Sequence, residues 1–453
     1  MKFALTRRST LVISLAALLA LLAIVMAESN AASVEAYGGY QSAHTQLLQE
    51  LKKAQVAGYT GTDLEPITSK LAAIENAPEP IWVGDRASFY HSGTLALQGL
   101  RTLLGDREQL VFSQSRATTA DDIAQAKSAI EKDRQLGVDE DVATGYQKRL
   151  DQLNTALAGA SKIVDVRAID TSALKLADEA TKTAAAQESE NAAIQKAADA
   201  LLAQNGGNLD AIRKSATAAL MGGRNDATVA AYEAKPGRFK PIDQVMRAYN
   251  RMEKFSGQLG ASDTNQVAFA AAAIQRYSGQ VHDLLMQNLG PKHIIVNWTA
   301  QEMWAYEGSN VVLDSLVTTG IRGDSAYGTD FGPMKVLWTS HPWKMHSPWP
   351  QGSQYWYPDT TVQWTVFFTN TGESFHDASW EADSQLGPGS QFDLSTRSHG
   401  CVHLPYSRAQ WLFGWADLGT PVDVFPGDGQ PVSAQLAEIT TDDQGNPNSA
   451  SAH

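Results

Sequence analysis

Cysteine is the scarcest residue in this chain: Cys401 is the one thiol in 453 residues. That excludes a disulfide scaffold and any Cys-x-x-Cys redox or metal motif. Positive charge is also short, with 36 Lys and Arg against 49 Asp and Glu and a formal net charge of −13. A general nucleic-acid binder is excluded, as is a basic coat for anionic membranes. Tryptophan is almost missing before residue 290, where Trp82 is the only one of eleven. Proline is sparse there too, so little interrupts helix formation.

Long apolar runs are confined to one place. Lys2, Arg7 and Arg8 precede "LVISLAALLALLAIVMA", and small residues follow at Ala27 and in "SNAAS". This is the pattern of a secretory signal peptide. At 17 residues the run also reaches the minimum for a membrane anchor, so both cleavage and retention stay open for residues 1–32. Either way the chain is exported to the cell envelope. Outside the cytoplasm an unpaired thiol invites oxidation, so a single Cys there is either buried or used.

Residues 33–290 are rich in Ala, Gln, Lys, Asp and Leu and read as helical. In "TTADDIAQAKSAIEKDRQLG", Thr119 and Asp122 suggest a capped start and Gly137 a stop, predicting one helix of about 16 residues. The segments 51–77 and 130–156 align without gaps around a Gly-containing turn, each reading as a helical hairpin. A bundle or elongated stack is expected, serving as a spacer or wall-binding module. His44, His91 and His282 stand isolated in it and read as structural or surface residues.

From about Lys292 the texture turns to Trp, Thr, Val, Tyr and Gly, which predicts a mostly-β domain over 291–426. Glu307-Gly308 suits the turn of a first hairpin, "TVQWTVFFTN" reads as one strand and "TPVDVF" as the last. Residues 427–453 are polar and turn-rich, and a disordered tail is expected. The fold class is therefore multidomain α + β: signal or anchor, helical region, β domain, tail.

Chemistry concentrates in "STRSHGCVHLP", residues 395–405, where His399 and His403 flank Cys401. Attack by a thiol on a carbonyl needs a thiolate, a base and donors for the oxyanion. Gly400 admits close backbone approach, and the N–H groups of Gly400 and Cys401 can point at one oxygen. His376, His399 and His403 are all candidate bases, and spacing alone does not rank them.

"TRSHGCVH" resembles the active-site signature of the L,D-transpeptidases of the YkuD type: Ser-His-Gly-Cys, an apolar residue, then Arg, Asn or His. The likeness extends to the opening hairpin "IIVNWTAQEMWAYEGSNVVLDSLVTTG", to "GTDFGPMKV", to "YWYP" and to "GESFHDASW", covering about 292–426. The last of these marks the branch with His-Asp-x-x-Trp. The chain departs from the pattern at Asp330, where proline is usual, at Met334, where an aromatic is usual, and at His403, often Arg. The gap from His376 to Cys401 is also longer than in the shortest members.

The resemblance implies Cys401 as acyl-accepting nucleophile and His376 as base and later acid. Ser398, His399 and Gly400 become supporting or oxyanion groups, and His403, Tyr355 and Trp356 candidate substrate contacts. The reaction implied is acyl transfer between peptidoglycan stem peptides through a Cys thioester, without metal or cofactor; water as acceptor would make the site an L,D-carboxypeptidase. Asp377 is a poor partner for His376, since neighbours on a strand face opposite ways.

Two rivals remain. His376, His399, Cys401 and His403 are zinc-competent, although alternate residues of a short loop splay apart. A non-catalytic peptidoglycan-binding wall scaffold is the other. Trp338 and Trp364 read as core, while the loop from Trp343 to Tyr357 fits either core or a substrate groove. His341 and His346 read as surface.

Overall fold

The computed structural model describes residues 7–321, 328–427 and 438–448. The chain divides into two compact units, Met1–Ser189 and Glu190–His453.

The first unit is built from α1 (Arg7–Ala57), α2 (Gly61–Glu75), α3 (Val83–Leu136), α4 (Glu140–Gly159) and the first part of α5 (Ile163–Gln204). The two expected hairpins are α1 turning into α2 and α3 turning into α4. Gly58 and Gly137 sit at those turns with φ of 106° and 83°, a backbone region that side chains rarely tolerate. At the first turn Thr60 caps α2 by accepting from the Asp63 N–H (3.2 Å) while Asp63 accepts from the Thr60 N–H (2.6 Å). Leu47, Leu64, Ile67 and Leu97 are fully buried in one apolar cluster, and Ile123, Ile130, Leu150 and Leu176 lie in another. Each such side chain stabilises by about 1.5–3 kcal/mol.

The helix expected to begin at Thr119 begins instead at Val83 and runs 54 residues. Nothing between Val83 and Thr119 breaks a helix, and Thr119 is not a cap: it is buried and its hydroxyl donates to Asp170 Oδ1 at 3.0 Å. His44 pairs with Glu75 (2.6 Å) and His282 with Asp226 (3.0 Å), in keeping with structural roles.

Among the described residues, the second unit adds α6 (Leu209–Ala234), α7 (Ile242–Ser256) and α8 (Thr264–Asn288) to eleven strands and a last helix. The strands are β1 (Lys292–Asn297), β2 (Glu302–Glu307), β3 (Asn310–Leu316), β4 (Gly332–Lys335), β5 (Trp338–Ser340), β6 (Trp343–Met345), β7 (Thr360–Val362), β8 (Thr365–Phe367), β9 (Ser374–Asp377), β10 (Val402–Leu404) and β11 (Pro421–Phe425), with α9 (Tyr406–Trp415) between the last two. One sheet runs β3-β2-β1-β11-β4, a second β10-β9-β8-β5, and β6 pairs with β7. In the first sheet β1 and β11 are parallel and central, and five of the six β1 residues are buried. Such two-faced burial requires cover on both sides.

Helices α6 to α8 supply that cover on one side. Val229, Tyr232, Val245, Tyr277 and Val281 share one apolar cluster with Ile294, Val296, Val422 and Phe425. Arg238 fastens the contact, pairing with both Glu233 oxygens (2.6 and 2.8 Å) and donating to the carbonyls of Pro333 and Met334. The boundary expected at residue 290 is therefore not a boundary in packing, because the sheet and the helices before it bury a common face. The opening hairpin turns at Gly308 as expected, whereas "TVQWTVFFTN" breaks into β7 and β8 at Gln363-Trp364.

The tail also departs from expectation. Residues 438–448 lie against the sheets: Tyr232 donates to the Glu438 carbonyl (2.5 Å), the Phe331 N–H to Thr440 Oγ1 (2.8 Å), and Asn370 N–H to the Gly445 carbonyl (2.6 Å). Polar composition hid this, since the segment docks through backbone and hydroxyl groups. The rest of the expected tail after Gly427 lies outside the described residues.

A chain starting at Glu190 is expected to fold and melt cooperatively, and one starting at Lys292 to aggregate; circular dichroism melts of the two decide it. The ring of His293, buried and stacked 4.8 Å from Tyr306, is held down to about 4 by burial. Its folded value lies below the unfolded value near 6.5, so stability is lost as pH falls from about 6.5 towards 4. His293→Phe should flatten that slope in urea titrations taken across the range.

Candidate active site

Strand β9 lies parallel to β10 with Phe375 opposite Val402, His376 opposite His403 and Asp377 opposite Leu404. Alternation along a strand puts Ser374 and His376 on one face, and the same step back along β10 brings Cys401 beside Ser374. The contact is direct: Ser374 Oγ stands 3.6 Å from Cys401 Sγ. Cys401 is partly exposed while His376 and His403 are buried.

The turn that carries the thiol is tightly specified. Gly400 has φ of 114°, and a Cβ there would lie 2.8 Å from Glu373 Oε1 and 3.0 Å from the Gly328 carbonyl. Ser398 Oγ donates to the Cys401 carbonyl (2.5 Å) and accepts from the Gly400 N–H (3.0 Å), while Thr329 Oγ1 donates to the Gly400 carbonyl (2.7 Å). Thr329 accepts in turn from the Gly320 N–H (2.8 Å), and Gln301 brackets Thr319 with two bonds of 2.8 Å. The "TAQEM" and "GTDFG" segments are thus props for this loop. One expectation changes here. The Gly400 N–H, expected as an oxyanion donor, is engaged by Ser398 and holds the turn instead.

Burial pushes the Cys401 thiol up, opposed by hydrogen bonds from Ser374, and burial pushes His376 down, opposed by the Asp377 carbonyl. Both shifts favour the uncharged forms. His376 Nδ1 lies 3.0 Å from the Asp377 carbonyl, so Nδ1 carries the proton and Nε2 is the basic nitrogen. The Asp377 carboxylate faces elsewhere: its Oδ1 accepts from the Gln363 and Trp364 N–H groups, each at 2.8 Å. Those two bonds break the β7–β8 strand and fix the base of the segment leading to Tyr357.

His399 is partly exposed, with its ring 4.9 Å from Tyr357 and 5.9 Å from Trp349, and Tyr355 sits 5.7 Å from Trp349. Burial, with the charges of Cys401 and Asp359, pushes the Tyr357 hydroxyl up to about 12. Trp356 is exposed. His403 is not placed to touch substrate, contrary to expectation: it is buried, its ring 4.9 Å from that of His376, and Nδ1 lies 2.7 Å from Glu381 Oε1. Trp338, expected in the core, is exposed and stacks on Phe367. Trp364 is half-buried and stacks on His341 at 3.8 Å.

Glu373, Ser374, Tyr357 and Glu381 were not singled out from sequence. Ser374 was recoverable, since strand alternation in "ESFHDASW" puts it on the face of His376; the others depend on loop conformation. Glu373 is buried against Asp330, whose N–H it accepts at 3.3 and 3.2 Å, and burial with that neighbouring carboxylate raises it well above the usual range. No cluster of three or more His, Cys, Asp or Glu able to hold a metal occurs among the described residues.

Residues 291–424 match the family model described as L,D-transpeptidase catalytic domain (YkuD). That segment is thus similar to the catalytic domain of L,D-transpeptidases of the YkuD type. A putative L,D-transpeptidase of Bacillus subtilis (strain 168), YciB, is 27% identical over 126 residues, which make up 27% of this chain and 60% of that protein. Among solved structures, an L,D-transpeptidase from Mycobacterium smegmatis is 21% identical over 30% of this chain and 58% of its own, with a TM-score of 0.26. The catalytic domain of the E. faecium L,D-transpeptidase is 28% identical over 30% of this chain and 96% of its own, with a TM-score of 0.24. The chain thus spans about 60% of the length of the first of these relatives.

Gly400→Ala is expected to destabilise the second unit by about 2–3 kcal/mol, since it adds a positive-φ penalty to a contact with Glu373. The urea midpoint measures it, and an unchanged midpoint would show that the turn relaxes freely.

Proposed function

We propose that this domain is a peptidoglycan L,D-transpeptidase with Cys401 as nucleophile and His376 as its base. The observation that supports the reading is the parallel β9–β10 pair, in which His376 lies opposite His403, two residues beyond Cys401, and Ser374 of the same face touches the thiol. His376 takes the Cys401 proton as sulfur attacks the carbonyl between the diamino acid and the terminal D-amino acid of a donor stem. The Cys401 N–H faces the developing oxyanion, and His376 returns the proton to the leaving amine. The resulting thioester passes its acyl group to an amine of a second stem.

Tyr357, Trp349, Tyr355 and His399 form an aromatic wall beside the thiol, suited to the flat peptide and aliphatic groups of a stem peptide. Trp356 adds an exposed ring on the same segment. Ser398 holds the turn rather than touching substrate. Water in place of the amine gives an L,D-carboxypeptidase from the same thioester, so the acceptor decides the outcome.

The enzyme acts outside the cytoplasm on the wall. The described part of α1 includes Ala16–Ala57, long and apolar enough to cross a membrane, and exposes Leu18, Leu19, Leu21 and Leu22. Retention as an anchor would place the helices of the first unit between membrane and wall, where α3 alone is roughly 80 Å long.

Incubation with a disaccharide tetrapeptide should load an acyl group on Cys401, seen as a mass increase, and release crosslinked dimer. Cys401→Ser should abolish both, and His376→Ala should slow acylation by at least about a hundredfold. Full crosslinking by either variant would remove the mechanism. Because burial holds His376 down, it stays neutral to below the usual imidazole range, so kcat/KM should fall only on acidification below about 6.5.

A further inference from the structure

The base needs a counter-charge, and the Asp377 carboxylate beside it supplies one part of it. Asp377 spends Oδ1 on two backbone N–H groups of the β7–β8 break. Behind His376, however, lies a second ring. His403 is 4.9 Å away at an interplanar angle of 48°, and Trp380 packs against both, 5.9 Å from His376 and 5.5 Å from His403. His403 Nδ1 and the Trp380 indole N–H converge on one oxygen, Glu381 Oε1, at 2.7 and 3.1 Å. The His403 and Glu381 side chains are only 7% and 3% exposed, and Glu381 Oε2 has no hydrogen-bond partner among the described residues.

A buried carboxylate with one unsatisfied oxygen is costly. Glu381 sits in the turn after β9, where its N–H donates to the Ala378 carbonyl at 3.0 Å, and His403 is opposite His376 in the strand register. Each charge here therefore has a fixed place relative to the base. The groups facing His376 are Asp377 and Glu381 from its own strand and turn and His403 from β10; from β8 it meets the neutral Thr365.

We propose that Glu381 and His403 form a positioning dyad for His376, in which the Glu381 carboxylate, relayed by the His403 ring, stabilises the imidazolium that forms when His376 takes the Cys401 proton. The inference rests on the assignment of His376 as base. No bond beyond that proton transfer is involved: S–H breaks, Nε2–H forms, and the positive charge gained by His376 is met by the negative charge of Glu381. Burial lowers His376, and the Asp377 carbonyl, the Asp377 carboxylate and then Glu381 oppose that shift. His403, where the family often has Arg, thus faces inward to serve the base.

The test uses alkylation of Cys401 by iodoacetamide in the full chain, followed by mass across pH, which needs no wall substrate. For a neutral thiol–imidazole pair the rate has a plateau whose height tracks the basicity of His376 and an acid limb at its pKa. Glu381→Gln should lower the plateau about tenfold and move the acid limb down by about one pH unit, the two being one free-energy change. His403→Asn should move the limb in the same direction, and Glu381→Asp should restore it towards wild type.

A limb left in its wild-type place in folded Glu381→Gln and His403→Asn, with the rate merely lowered, would reduce the dyad to packing and overturn the proposal. Near-UV circular dichroism reports folding, and Glu381→Asp supplies a carboxylate-bearing variant should the amide disturb the turn. A wild-type profile with no acid limb, unchanged in His376→Ala, would instead remove His376 as base. The two failures are therefore distinguishable.

Discussion

Everything at the site depends on the parallel pairing of β9 with β10. Two three- to four-residue strands are a small element, yet their register places Ser374 beside Cys401 and His376 beside His403. Parallel neighbours cannot be joined by a tight turn, so 24 residues intervene between His376 and Cys401. That excursion carries Glu381 under the histidines and returns through Ser398, whose N–H bonds the Thr319 carbonyl at 3.3 Å. The long gap is thus the crossover that parallel geometry demands.

Two carboxylic acids next to the site have divided roles that their positions in sequence conceal. Asp377 adjoins the base but anchors the segment bearing Tyr357, whereas Glu381, five positions from His376, reaches its neighbourhood through His403. Glu373 is a third, buried beneath Gly400, where burial and the neighbouring Asp330 carboxylate push its carboxyl well up. A neutral acid there does not oppose a thiolate, while an ionised one would.

Much of this was legible in the chain. Helical composition located the two hairpins because their turns need a left-handed residue, and Gly58 and Gly137 supply it. The SHGC motif singled out Cys401 as the candidate nucleophile, and the resemblance His376 as the candidate base. What stayed hidden is long-range. The extent of α3 was missed because a Thr-Asp pair looks the same inside a helix as at its start. Burial of β1 on both faces depends on α6 to α8, which no local pattern in β1 reports. The inward turn of His403 depends on Glu381, and the docking of 438–448 depends on backbone groups that every sequence possesses.

The closure of the first sheet has a consequence for the order in which the domain is made. Its centre is β1 against β11, strands 124 residues apart between Asn297 and Pro421, and the 438–448 segment then bonds to Phe331 and, through Thr440, to Asp330 at 2.7 Å. During synthesis from the N-terminus, its thiol turn emerges before β11 does. The groups that hold Gly400, from Gln301 to Ser398, are then all present, but β1 still lacks its parallel partner, so the sheet closes only when β11 follows.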